Sequence, residues 1–161
     1  MTNLKVEFYL RLILIISLVS IISAYFIEYI LGHQPCRLCL IERIPYGLSI
    51  ILITFNYFFK KKEKFIILLL ILTFFFSFAI SVYHLGIEQG LFEESAVCGL
   101  KDSTGIISKE EILKQLQEKT VSCKDVTFRI FGLSLTSINI LLSLMLIILL
   151  TKIYISYEKN K

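Results

Sequence analysis

Four long apolar stretches dominate this chain: Leu12–Ile30, Leu40–Phe59, Phe65–Leu85 and Ile130–Thr151. Crossing about 30 Å of hydrocarbon takes roughly 20 apolar residues at about 1.5 Å each. A bilayer offers no water to backbone N–H and C=O groups, so segments of this kind span it as helices. The expectation is an all-α fold, an integral membrane four-helix bundle forming one domain over residues 1–161. The second stretch is the least regular, because Glu42 and Arg43 stand near its start. The first is longer than the roughly 7–15 apolar residues of a secretory signal and no A-x-A-like site follows it, so it reads as a retained helix. Composition agrees: 56% of residues are hydrophobic and the mean hydropathy is +0.76, above the roughly 45–50% apolar content of soluble domains.

The net charge of +4 belongs to topology and not to nucleic acid. Lys60, Lys61, Lys62 and Lys64 sit between the second and third stretches, Lys5 and Arg11 flank the first, and Lys152, Lys159 and Lys161 follow the fourth. No basic stripe with interleaved aromatics lies on a polar face, so no nucleic-acid partner is expected. Four crossings put these basic segments on one side, and the positive-inside rule makes that side the cytoplasm, with both termini. Residues 31–39 and the long loop 86–129 then lie outside. That loop is the more acidic, with Glu88, Glu93, Glu94, Asp102, Glu110, Glu111, Glu118 and Asp125. Within it, Ser108 and Glu111 have capping-box spacing ahead of Ile112, Leu113 and Leu116. A short amphipathic helix is expected over Lys109–Lys119, either on the membrane surface or in solvent. The stretches Leu100–Ser103 and Thr120–Asp125 read as arms beside it.

All four cysteines, Cys36, Cys39, Cys98 and Cys123, fall on the outer side, where disulfides form and persist. Pro35 suits a first helical position, which would put Cys36 and Cys39 in the first turn of the second span. At about 100° per residue, Cys36, Cys39 and Arg43 would share one face within about 60°. A helix N-terminus with Arg37 and Arg43 nearby favours thiolate, and the same positive end would favour a developing oxyanion. An arginine inside a span is costly and marks a candidate site, though interface anchoring by a snorkelling side chain also accounts for it. Covalent haem is excluded, because Leu40 and not histidine follows Cys39. A four-cysteine zinc site and two structural disulfides fit the ligand count. A C-x-x-C disulfide closes so small a loop that it adds little stability, which favours reactivity. His33 and His84 stand at membrane edges, and His84 reads as an interfacial ring with a polar tip in preference to a residue lining a quinone headgroup pocket.

With these residues in view, the chain resembles the disulfide bond formation protein B (DsbB) family. Pro35-Cys36-Arg37-Leu38-Cys39-Leu40-Ile41-Glu42-Arg43 is similar to that family's C-x-x-C-L-x-E-R, and Pro45-Tyr46 continue the likeness. Tyr83-His84-Leu85-Gly86-Ile87-Glu88-Gln89-Gly90 resembles the end of its third helix, and Phe131-Gly132-Leu133-Ser134 the entry to its fourth. The family usually carries tryptophans after the second loop cysteine and early in the fourth helix. Here there is no Trp; Phe128 and Leu135-Thr136-Ser137 stand in those places. Vitamin K epoxide reductases share the four-helix redox core, but their loop cysteine pair precedes the C-x-x-C, whereas here it follows.

The resemblance implies a bacterial cytoplasmic (inner) membrane enzyme that reoxidises a DsbA-like thioredoxin-fold oxidase and passes the electrons to ubiquinone or menaquinone. It implies a Cys98–Cys123 disulfide that the partner attacks at Cys98, and a transient Cys36–Cys123 bridge. Cys39 is then the thiolate facing the quinone, and Arg43 stabilises quinone charge. No metal is expected.

Overall fold

A computed structural model describes residues 2–58, 63–93, 121–124, 128–130 and 132–159. The expected helix over Lys109–Lys119, the arm Leu100–Ser103 and Cys98 lie outside the described residues. Among the described residues, five helices and one small hairpin follow in chain order: α1 Thr2–Tyr29, α2 Arg37–Ile41, α3 Ile44–Phe58, α4 Glu63–Glu88, β1 Arg129–Ile130, β2 Leu133–Ser134 and α5 Leu135–Lys159. Val6–Tyr29, Arg37–Phe58, Glu63–Glu88 and Leu135–Ser156 are each long and apolar enough to cross a membrane. The protein is a four-helix membrane bundle.

Apolar side chains lie on both the inside and the outside, as a bilayer solvent allows. Ile22, Phe75 and Leu141 are exposed on the rim, while Ile13, Ile53, Leu70, Phe74, Leu146 and Leu150 are fully buried. With no hydrophobic force drawing helices together in lipid, association rests on packing and on small polar contacts between helices. Ser49 donates to Ser17 (2.8 Å) between α3 and α1, and Ser143 to Ser77 (3.1 Å) between α5 and α4. The long α4 packs along α5, while α1 and α5 touch far less.

The second span is not a straight helix. It breaks between α2 and α3 at Glu42 and Arg43. Pro45 has no N–H for the Ile41 carbonyl and its ring crowds that turn. The Arg43 N–H instead closes a tight turn on Leu40 (3.2 Å), and regular bonding resumes with Gly47 N–H to Arg43 C=O (3.1 Å). Pro35 is not the first helical residue either: Cys36 is the N-cap of α2, in extended conformation with φ −70° and ψ 169°. The regular 100° spacing from Cys36 to Arg43 therefore does not hold.

At the same end of the bundle, α4 stops where Gly90 takes φ +74°. Its N–H reaches the Ile87 carbonyl (3.0 Å) and the Leu91 N–H reaches Gly86 (2.8 Å), the Schellman pattern that a left-handed residue permits. The fourth span begins at Leu135 and not near Ile130. The residues before it pair as an antiparallel hairpin, Arg129 with Ser134 and Ile130 with Leu133, turning through Gly132 at φ +83°. Ser134 then caps α5 by accepting the Ser137 N–H (3.2 Å).

Candidate functional site

The cap geometry creates the first part of the site. Because Cys36 sits at the N-cap of α2, its Sγ accepts the Cys39 backbone N–H at 3.2 Å, as a Ser or Asp oxygen would. The Cys39 Sγ lies 2.7 Å from the Cys36 Sγ, and both cysteines are free thiols. The hydrogen bond from the Cys39 thiol, joined by one from His84, outweighs burial and holds the Cys36 thiol well below its ordinary pKa. In the reduced pair, the thiolate character therefore falls on Cys36. The expected help from nearby arginines is replaced by these two neighbours. Arg37 is exposed, and Arg43 is engaged elsewhere.

His84 is not an interfacial ring. It is 2% exposed, and the turn of α4 that carries it faces the C-x-x-C. Its Nε2 lies 3.5 Å from the Cys36 Sγ and its Nδ1 3.0 Å from Glu42 Oε1. Thr136 Oγ1 lies 3.3 Å from the same Nδ1 and donates its own proton to Glu88. A carboxylate can only accept, and the Thr136 proton is already committed, so Nδ1 carries the hydrogen in this network. That leaves Nε2 to accept a proton from the Cys36 thiol or to donate one back. The second oxygen of Glu42 accepts from Asn139 Nδ2 (3.2 Å), which also donates to Ser81 (2.7 Å). Tyr46 donates to Asn139 in turn. Glu42 is 8% exposed, a burial that an ionised carboxylate tolerates only with partners on both oxygens.

Arg43 lies on the α1 side of the break. Its Nη1 donates to Glu28 Oε2 at 2.5 Å, and its guanidinium lies 5.0 Å from the centre of the Tyr25 ring. A cavity of about 350 Å³ joins these groups, lined by Cys36, Cys39, Arg43, His84 and Cys123, with apolar walls from α1 and α5 such as Ala24, Ile27, Ile138 and Leu142. Its size falls in the range of ordinary small-molecule sites, at roughly 300–1,000 Å³. Cys123 is 2% exposed and held in a disulfide. It packs in one buried cluster with Cys36, Leu38 and Ile87. The structure thus brings together four of the five residues singled out from sequence; Cys98 lies outside the described residues.

The site has two chemical capacities. A thiol pair, an imidazole backed by a carboxylate and a guanidinium around one apolar-walled cavity suit transfer of electrons and protons to a flat oxygen-bearing acceptor. The sulfurs of Cys36 and Cys39 and a His84 nitrogen also lie within 4.8 Å of one another, so the reduced pair has the donor set for a soft metal ion. Sequence reasoning missed Glu28, Asn139 and Thr136 altogether. Each is a polar residue inside an apolar run, and that was the available signal.

Comparison with known proteins agrees with this geometry. The family model described as disulfide bond formation protein DsbB matches residues 7–153. An uncharacterized protein of Rickettsia prowazekii (strain Madrid E) is 32% identical over 157 residues, covering 94% of this chain and 90% of that one. No solved structure matches. Four spans, a C-x-x-C at the head of the second and a disulfide-held cysteine beside it have their common explanation in descent: the chain belongs to the DsbB family of disulfide bond formation proteins.

Proposed function

We propose that this protein reoxidises a DsbA-like thioredoxin-fold dithiol oxidase outside the membrane and delivers the two electrons to a membrane quinone, ubiquinone or menaquinone. The observation that carries the reading is the single cavity that Cys36, Cys39, Arg43 and Cys123 line together. The family supplies disulfide-forming chemistry, and the cavity supplies room for a ring against apolar walls, with the Arg43 guanidinium in its lining. The basic segments at Arg11, Lys64 and Lys152 support cytoplasmic termini in a bacterial inner membrane, with the cysteines outside.

The exchanges conserve disulfides until the last step. A thiolate of the reduced partner attacks Cys98 of a Cys98–Cys123 disulfide, forming a mixed disulfide and releasing Cys123 as thiolate. Cys123 then attacks Cys36 of the oxidised C-x-x-C, and Cys39 leaves as thiolate into the cavity. The partner's second thiol resolves the mixed disulfide and departs oxidised, leaving Cys98 reduced. Cys98 returns onto Cys123, restoring the loop disulfide and leaving Cys36 and Cys39 as a dithiol. Oxidation of that dithiol releases two electrons and two protons. A bound quinone supplies the acceptor for both. His84 holds the proton of Cys36 at Nε2, with Glu42 stabilising the cation. Arg43 would favour negative charge on an oxygen of a quinone held there.

The energetics call for such an acceptor. A DsbA-type oxidant lies near −120 mV, and each 30 mV uphill costs about 1.4 kcal/mol for two electrons. An ordinary dithiol couple could not reoxidise it unaided. The test is oxidation of a reduced thioredoxin-fold oxidase by the purified chain with and without an added quinone. Quinone-dependent turnover is expected. A membrane scaffold with two inert disulfides would give none, and its cysteines would not cycle in thiol trapping when quinone supply is cut.

A further inference from the structure

Arg43 is held by one face of α1. Tyr25 and Glu28 are three residues apart and therefore neighbours on that helix, and both meet the same guanidinium. The side chains of Arg43 and Glu28 are 17% and 20% exposed, so this is not a loose surface pair. Glu28 engages Nη1 alone. Among the described residues no acceptor is bonded to Nη2 or Nε, the edge of the guanidinium that forms a planar two-donor fork. Arg43 also lines the cavity that holds the thiols.

We propose that Glu28 is a positioning residue: with Tyr25 it fixes the Arg43 guanidinium by Nη1 and keeps the Nε–Nη2 fork for a quinone oxygen in the cavity. The inference rests on the quinone reading of Arg43 above and adds what that reading lacks, a reason for the arginine to stay at the cavity. An arginine side chain has many rotamers to lose and at a membrane edge reaches for water. A mostly buried ion pair contributes little net stability once desolvation is counted, so stability alone is a weak account of Glu28. Orientation of a donor fork is a strong one, because a misaligned fork holds the quinone oxygen less well in ground and transition state alike, which raises KM more than it lowers kcat. The aromatic ring adds a second contact that restrains the guanidinium plane.

The test is steady-state kinetics of the full-length protein, with a reduced thioredoxin-fold oxidase as donor and a short-chain benzoquinone or naphthoquinone as probe, together with equilibrium dialysis of the same quinone against the protein without donor, where Kd should follow KM. Glu28→Ala should raise the KM for quinone about tenfold, the scale of one lost charged hydrogen bond, with kcat near the native value. Glu28→Gln keeps an oxygen acceptor for Nη1 and should restore the native KM. Tyr25→Leu should raise KM by less. In an Arg43→Ala background, neither Glu28→Ala nor Tyr25→Leu should change KM further, since the group they position is gone.

If Arg43→Ala raises KM while Glu28→Ala and Tyr25→Leu leave it native, or act additively with Arg43→Ala, the positioning role is overturned and the quinone reading of Arg43 stands. If Arg43→Ala itself leaves quinone KM and kcat unchanged, the reading of Arg43 falls and this inference with it. Should Glu28→Ala fail to accumulate in the membrane, Tyr25→Leu with its Arg43→Ala double variant decides alone.

Discussion

Away from the cysteines, Ile53, Leu70, Phe74 and Leu146 fill the interior, whereas at the cysteine end the same helices enclose Glu42, His84 and Thr136. The two regions differ in how far their buried polar atoms are paired: the apolar half has isolated serine pairs, Ser17 with Ser49 and Ser77 with Ser143, and the cysteine end a connected network. In the apolar half, Asn56 Oδ1 and Tyr57 Oη are buried with no hydrogen-bond partner among the described residues. At the cysteine end, Glu42 uses both oxygens, His84 both nitrogens and Asn139 both its oxygen and its nitrogen. A polar group without a partner costs free energy in an apolar surrounding, and a network in which every member is paired is rigid. The difference separates a region that only has to pack from one that must hold groups at fixed positions around a reactive sulfur.

The sharpest way to break this comparison is to remove the sulfur. Cys36→Ala should abolish turnover while the bundle still inserts, because exchange needs both members of a pair and this thiol supplies little of the helix packing. Membrane extraction and helical circular dichroism should match the native protein. Turnover within a few-fold of native would remove Cys36 from the path and leave its polar surroundings unexplained.

The next largest effect should come from the proton-handling groups. His84→Gln keeps a hydrogen-bonding amide near Glu42 and loses the imidazole nitrogen that lies 3.5 Å from the Cys36 Sγ, the proposed proton acceptor. Turnover with quinone should fall by about 10²-fold or more, the ordinary scale for a lost acid–base group. Exchange between the loop disulfide and a reduced partner, followed in one turnover without quinone, should stay near native. A uniform loss across both half-reactions would instead show that His84 serves packing.

Much of this architecture was legible in the sequence, and what was not has local causes. The four spans followed from apolar length alone, since the bilayer sets that length. The break in the second span did not, although Pro45 was in view, because an apolar run hides a missing N–H. The gathering of His84, Glu42 and Thr136 could not be read from spacing, since it depends on how α4 and α5 rotate against α2. For that reason His84 read as an edge residue and proved fully enclosed. Arg43 was found by its cost in a span, but the same argument applied to Glu28 and was not followed to α1. The start of the fourth span was placed too early, because Phe131-Gly132-Leu133 is as apolar as a helix and its hairpin depends on one glycine.

A smaller effect concerns the ionisation of Cys36. Its lowered pKa rests first on the Cys39 thiol and then on His84, against burial. The thiolate therefore persists as pH falls through the ordinary thiol range near 8.5 and is lost only at more acid pH. In the reduced protein, alkylation of Cys36 by iodoacetamide should hold its rate across neutral pH, followed by mass spectrometry of the modified peptide. Cys39→Ala removes the largest cause, so the midpoint should move up toward that of an ordinary thiol. An unchanged midpoint in Cys39→Ala would assign the lowering to another group and weaken the contrast between the two halves.

The smallest effect should be found in the apolar half, where the comparison is most easily overstated. Ser77 and Ser143 share a buried hydrogen bond between α4 and α5, a contact that on paper resembles those around Glu42. Polar contacts of this kind between membrane helices average about 0.6 kcal/mol, because a helix in lipid offers alternative partners. A serine can turn to the carbonyl one turn back, as Thr73 and Thr151 already do toward Leu69 and Ile147. Ser77→Ala should therefore lower stability in a denaturant titration by about that amount and leave kcat and the quinone KM unchanged. Asn139→Ala, one helical turn nearer the cysteines on α5, should do the opposite. It removes the donor to one oxygen of Glu42, so the loss should appear in turnover more than in stability. Equal effects of the two substitutions on turnover would mean that the polar ladder works as one unit along the bundle, and the division between a packing half and a reacting half would fail.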